Sequence, residues 1–376
     1  MPLPVLLIDA RRLDRPLTGV QRYTLNLIRA AALRANPFSR TPTPSGCGSK
    51  SVHVLVRDRE HLTRHLDEPP PRGVCIHEAP RRLSRRGWRK LLTGIGPTGV
   101  VLHPDVIGPL LPHERSAGWE RVVTLHDVIP LLPGLDLRGS KKAMLRPLWR
   151  AYVKHQCRIA DRVVTVSHAS AADLQRVLHI PSPKLHVLHN AVVPPPLPAP
   201  STPPPREPGL MLCVGRFDPY KGTADLVSAF GQTPEAFQRS RRLVFVGPPD
   251  PRFPEAGWAA AALPATTRSR VTFAGSVSEA ELWRLYRTAG LLVSPSRYEG
   301  FGLPMAEAAS VGTPVVSIDH PAARELAAEL QPAPIHLTPP DLLDEALIAA
   351  AELQPAAPST PFTLERLADQ LEDLLA

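Results

Sequence analysis

Cysteine is scarce, metal-binding signatures are missing, and no apolar run is long enough to cross a bilayer. The 376-residue chain has 4 cysteines, at positions 47, 75, 157 and 213. Their spacing fits neither a zinc cluster nor a redox dithiol, so they read as ordinary thiols of a reducing compartment. Asp-x-Asp, His-Glu-x-x-His and Cys-x-x-Cys do not occur, so no catalytic metal or other cofactor is expected. No serine or cysteine nucleophile motif appears either, which leaves charge stabilisation and positioning as the chemistry available. The opening MPLPVLLIDARRLD holds an apolar run of about six residues without a basic region before it, the mark of a strand rather than a signal peptide. Nothing approaches the roughly eighteen apolar residues of a spanning helix, and the expectation is a soluble cytoplasmic protein. Aromatic residues make up 5% of the chain, with no interleaved stacking platform or reading module, so nucleic acid is not an expected partner.

Basic charge and proline are plentiful. The formal net charge is +9, which favours an anionic partner without choosing among phosphorylated small molecules, acidic lipid and nucleic acid. Most of the 46 prolines fall in connections, where they stiffen the chain without entering sheet ladders. A chain this long exceeds one typical core, so two domains are expected.

Aliphatic runs alternate with helical patterns through the first half: 5–8, 52–56, 100–102, 122–125, 163–166 and 186–188. Such alternation predicts an α/β fold with a doubly wound parallel sheet. VPPPLPAPSTPPPREP, residues 193–208, then interrupts it with a semi-rigid polyproline connection. Strand patterns resume at 210–214, 243–246, 271–274, 291–293 and 314–318, with helical stretches at 223–230, 279–286, 304–310 and 321–330. The expected organisation is a first Rossmann-like domain over 1–192, a linker over 193–208, a second such domain over 209–360 and a closing helix over 361–376. Two facing domains of this kind leave a cleft at the carboxyl ends of both sheets, where ligands of such folds bind.

Candidate site residues lie at those strand ends. Glu299 and Glu307 bracket the turn carrying Gly300 and Gly302 in SPSRYEGFGLPMAEAASVGTPVV. A helix begins there near Leu303 or Pro304, and its first turn can hold an anion while both carboxylates accept hydroxyl hydrogen bonds. In VGRFDPYKG, Arg216 and Lys221 follow a strand and can clamp a diphosphate, or are solvated loop cations. His126 and Asp127 end the strand of VVTLHDVIP, where the histidine suits either a substrate contact or a structural hydrogen bond. Gly19 and Arg22 open a helix in TGVQRYTLNLI, a weak anion-site signal. The run RRLSRRGWRKLL, residues 81–92, interleaves basic residues with Trp88 and leucines, and fits an anionic membrane surface or a plain solvated face.

Together these motifs resemble the retaining glycosyltransferases of family four, whose GT-B architecture has two facing Rossmann-like domains. The likeness is strongest through VGRFDPYKG, LVFVGPP, VTFAGSVSEAELWRLYRTA and the segment around Glu299. It is weaker in TLHDVIP, DRVVTVSHASAADL and VLHNAV. The resemblance implies transfer of a hexose-type sugar from a nucleotide diphosphate sugar to a carbohydrate or lipid-linked acceptor, in polysaccharide or glycolipid synthesis. Arg216 and Lys221 would hold the diphosphate, and Glu307 the ribose. Glu299 and the backbone at Phe301, Gly302 and Leu303 would contact the donor sugar. His126 would sit beside the reactive centre, with Gly19 near the diphosphate. Two alternatives are a GT-B-like nucleotide-sugar epimerase or sugar phosphorylase, and a nucleotide-sugar-binding protein without turnover. Ala191 and the stretch after Arg324 depart from the family pattern by lacking glycine.

Overall fold

Val52–Val56 is buried at every residue, and so is Gly99–His103. Strands covered on both faces have no polar side to show, which is why they read as unbroken aliphatic runs. In a computed structural model of the protein, the described residues are 4–13, 18–35, 52–63, 73–80, 83–106, 118–195, 204–248, 250–330, 335–350 and 352–376. Arg81, Arg82 and residues 196–203 of the proline-rich connection lie outside them.

The first sheet contains β1 (Leu6–Asp9), β2 (Val52–Val56), β3 (Val74–Glu78), β4 (Gly99–His103), β5 (Trp119–Thr124), β6 (Arg162–Thr165) and β7 (Leu185–Val187). The second contains β8 (Glu207–Val214), β9 (Arg242–Val246), β10 (Val271–Gly275), β11 (Ala289–Ser294), β12 (Val315–Ile318) and β13 (Ile335–Thr338). Their orders are β3-β2-β1-β4-β5-β6-β7 and β10-β9-β8-β11-β12-β13, and every pairing is parallel. The winding reverses between β1 and β4 in one sheet and between β8 and β11 in the other. At such a reversal neighbouring connections leave in opposite directions and open a crevice above the strand ends.

The chain divides into two compact units, Met1–Val128 with Pro147–Ala191 and Phe362–Ala376, and Ile129–Arg146 with Val192–Pro361. One core cluster of the first unit gathers Leu7, Leu55, Trp88, Leu92, Val101 and Trp119. In the second, Met211, Phe230, Phe245, Leu291 and Val316 pack together. Full burial of each such side chain contributes about 1.5–3 kcal/mol.

The helix Leu364–Leu375 belongs to the first unit and buries Leu367, Leu371 and Leu374. It starts where the Thr363 hydroxyl accepts from the Arg366 N–H at 3.2 Å. Its Gln370 side chain grips His189 twice, accepting from the backbone N–H at 3.0 Å and meeting Nδ1 at 2.9 Å.

The aromatic residue of the 81–92 run, which fits an anionic membrane surface or a plain solvated face, faces neither: Trp88 is only 4% exposed. The helix Arg85–Ile95 turns Trp88 and Leu92 into the core and leaves Arg86, Arg89 and Lys90 outside, as an amphipathic helix over a sheet must. Cys157 and Cys213 are buried free thiols, but Cys75 is disulfide-bonded rather than an ordinary thiol. Among the described residues no helix is long and apolar enough to cross a membrane.

Candidate functional site

Seven of the sequence-selected residues, Arg216, Lys221, Glu299, Phe301, Gly302, Leu303 and Glu307, lie in the second unit, on the segments that leave β8 and β11. After β8 come Arg216, a short 3-10 turn over Pro219–Lys221, and Gly222, which begins the helix Thr223–Gln232. Gly222 has φ 65°, and a Cβ there would lie 2.3 Å from the Pro295 carbonyl oxygen. Only glycine lets the β8 segment approach the β11 segment this closely. One residue pair further on, the Arg297 N–H donates to the Tyr220 carbonyl at 2.9 Å.

That approach brings Lys221 Nζ to 2.6 Å from Glu299 Oε1. Both side chains are mostly buried, 17% and 15% exposed, and the ammonium also lies 5.2 Å from the Tyr220 ring centroid. Burial pushes the Glu299 carboxyl up, but the Lys221 charge and hydrogen bonds from Lys221 and Ser296 outweigh it and hold the group below its ordinary range. A carboxylate is therefore ionised there, fixed against a cation.

Arg216 is not part of this pair. Its side chain is 64% exposed and forks onto Asp218, with Nε 2.9 Å from Oδ2 and one terminal nitrogen 3.1 Å from Oδ1. Phe301 is buried beneath the turn, and Gly302 at φ 96° begins the helix Leu303–Ser310 with Pro304 in its first turn. Glu307 lies inside that helix, 4% exposed, and its Oε2 accepts from the Tyr286 hydroxyl at 2.7 Å.

Sequence reasoning did not single out Tyr286 or His320. His320 follows β12 and starts the helix Pro321–Glu329, its Nδ1 accepting from the Ala323 N–H at 3.2 Å. Burial lowers its pKa to about 4, against the pull of Glu299. The residue ahead of Pro321 was a readable helix-start signal, since proline suits a helix's first turn. Tyr286 lies within VTFAGSVSEAELWRLYRTA, where nothing marks its hydroxyl for a role.

In the first unit, His126 follows β5 and meets the Pro104 carbonyl through Nε2 at 2.9 Å. A carbonyl only accepts, so Nε2 carries the proton. The Tyr23 ring stands edge-on to it at 5.0 Å. Gly19 starts the helix Gly19–Ala35 and is exposed, and the Gln21 side chain accepts from the Thr18 N–H at 3.2 Å. Charges unmarked by sequence motifs occupy the β1/β4 reversal. Arg11 forks onto Asp9 at 2.7 and 2.6 Å, and His103 Nδ1 lies 3.2 Å from Asp9 Oδ2. Burial raises the Asp9 carboxyl, yet those two partners bring it well below its ordinary value.

Residues 17–194 match the family described as Glycosyltransferase Family 4, and residues 199–355 match Glycosyl transferases group 1. The chain is 32% identical over 358 residues to a D-inositol 3-phosphate glycosyltransferase of Xylanimonas cellulosilytica, spanning 83% of this chain and 79% of that protein. It is 27% identical over 254 residues to an MMP alpha-(1->4)-mannosyltransferase of Mycolicibacterium hassiacum, spanning 63% of this chain but only 57% of that relative. The structure of Anabaena Alr3699/HepE in complex with UDP-glucose is similar in fold, with TM-score 0.65, 15% identity, and coverage of 99% of this chain and 95% of that one.

Proposed function

Because the chain belongs to glycosyltransferase family 4, with the α/β GT-B fold of that family, we propose that it moves a hexose-type sugar from a nucleotide diphosphate sugar to an acceptor hydroxyl, with retention of configuration. The observation that carries this reading is the buried Lys221–Glu299 pair at the β8/β11 reversal, with Glu307 on the helix that follows. Lys221 and Arg216 are the proposed diphosphate contacts. Glu299 and the backbone of Phe301, Gly302 and Leu303 are proposed to hold the donor sugar, and Glu307 the ribose. Of the first unit's residues, His126 is proposed to bond near the reacting carbon and Gly19 to admit the diphosphate.

The bond from the anomeric carbon to the diphosphate oxygen breaks as the acceptor oxygen bonds the same face. The departing phosphate oxygen takes the acceptor's proton. Cations that bind more tightly as the leaving group gains charge lower the barrier. Lysine and arginine meet that need without a divalent metal, and no protein nucleophile is required. The similarity to a mannosyltransferase supports a hexose donor, and the UDP-glucose held by HepE supports a nucleotide sugar. A polysaccharide or glycolipid is the proposed acceptor class. The exposed Arg86, Arg89 and Lys90 face is proposed to attract an anionic membrane surface.

A thermal-shift panel of UDP, GDP and ADP with their sugars tests the donor assignment, because a ligand of the native state raises its melting temperature by mass action. The expected result is a clear rise with one base and its sugar. No shift with any member at millimolar concentration contradicts it.

A further inference from the structure

Glu307 is a costly residue where it stands. The helix Leu303–Ser310 reads LPMAEAAS, and its residues from Met305 to Ser310 are buried. An aliphatic side chain of similar volume at such a position is commonly neutral or stabilising compared with a buried charge. The carboxylate is nevertheless kept, and it is held: the Tyr286 hydroxyl donates to Oε2 at 2.7 Å.

Tyr286 is itself held rigidly. It is fully buried on the helix Glu279–Thr288, its ring meeting the Trp283 ring edge-on with centroids 5.5 Å apart. Its backbone carbonyl accepts from the Thr313 hydroxyl at 2.5 Å, and that hydroxyl accepts from Arg206 at 2.6 Å. Arg206 also donates to the carbonyls of Ala289 and Val311, at 3.1 and 2.6 Å. The same arginine thus ties the start of β11 to the turn that ends the Glu307 helix. The Ser310 hydroxyl closes that turn on the Glu307 carbonyl at 2.7 Å.

We infer that Tyr286 is a positioning residue, which fixes the Glu307 carboxylate so that it accepts from the ribose hydroxyls of the nucleotide. The inference rests on the reading of Glu307 as the ribose contact. A carboxylate free to rotate pays rotamer entropy when it binds a vicinal diol, whereas one already fixed by a second donor does not. Packing alone does not call for the hydroxyl, since phenylalanine fills the same space.

Calorimetry of UDP, GDP and ADP, each beside its 2′-deoxy counterpart, separates the two ideas by affinity ratio. One charge-assisted hydrogen bond corresponds to about a ten- to hundredfold preference for the ribonucleotide. Wild type is expected to show that preference for its base, and Glu307→Gln to lose most of it. In Tyr286→Phe the preference is expected to fall to within about twofold of the Glu307→Gln value, with native circular dichroism. Tyr286→Gln, which keeps an N–H donor, is expected to lie between the Phe variant and wild type, and it carries the test if the Phe variant does not fold. A preference unchanged from wild type in the variant that folds overturns the inference. Loss in the Gln variant with the wild-type preference kept in the Phe variant assigns Tyr286 to packing and also overturns it. Absence of any preference in wild type instead removes the ribose role of Glu307.

Discussion

Lys221 and Glu299, separated by 78 residues in sequence, form a buried ion pair with Nζ 2.6 Å from Oε1. In the proposed site the lysine serves the diphosphate and the glutamate serves the sugar, and each satisfies the charge of the other. The pair keeps both groups charged and in place before the donor arrives, which reduces reorganisation during transfer.

Removing one partner leaves an uncompensated buried charge. Lys221→Met and Glu299→Leu are each expected to lower unfolding stability by about 3 kcal/mol. The double variant is expected to recover most of the loss while failing to bind nucleotide sugar. Urea melts of the three proteins give the coupling. Additive losses contradict the pair as described.

Gly222→Ala and Gly302→Ala both force a side chain into positive φ, 65° and 96°. At Gly222 the new methyl meets the fixed Pro295 carbonyl, while at Gly302 it meets the flexible end of Met305, each at 2.3 Å. Gly222→Ala is therefore expected to be the worse of the two, at about 2 kcal/mol or more. Thermal melting ranks them, and the opposite order counts against the close approach of the β8 and β11 segments.

Histidine burial sets an acid limit. His320 and His53 both fall to about 4 in the folded protein, each chiefly through burial. Unfolded, they titrate near 6.5, so between those values the unfolded chain binds more protons. Stability is fully present above about pH 6.5 and is expected to fall as pH drops toward 4. Urea midpoints at pH 7.5, 6 and 5 read the slope, and His320→Asn, which retains a helix-capping side chain, is expected to flatten it. A constant midpoint across that range rules the account out.

Replacing Arg86, Arg89 and Lys90 together by glutamate is expected to abolish flotation with anionic vesicles without changing the melting temperature. Trp88→Ala is expected to do the reverse, costing about 3 kcal/mol or more as a core truncation while leaving the vesicle contact. Wild type that ignores anionic vesicles removes the membrane contact.

Sheet composition was legible wherever strands are covered on both faces. The two strands that sequence did not reveal, β3 and β13, are edge strands, and the polar residues within them, His77 and His336, break the aliphatic run that marks the others. The segments holding Arg216, Lys221, Glu299 and Glu307 were legible because glycine, proline and charge cluster just after strands. Pairings were not. Lys221 with Glu299 and Tyr286 with Glu307 depend on which strands lie adjacent, and no local pattern records that. The side Trp88 takes was not legible either: its neighbours announce a charged face, while helical geometry sends it to the other side.

The most direct measurement is release of nucleoside diphosphate from whichever nucleotide sugar stabilises the protein, compared between wild type, Lys221→Ala and Glu299→Ala with circular dichroism as the check on folding. The account predicts that each variant remains folded and loses about a hundredfold or more in turnover. Undiminished release by both folded variants contradicts it.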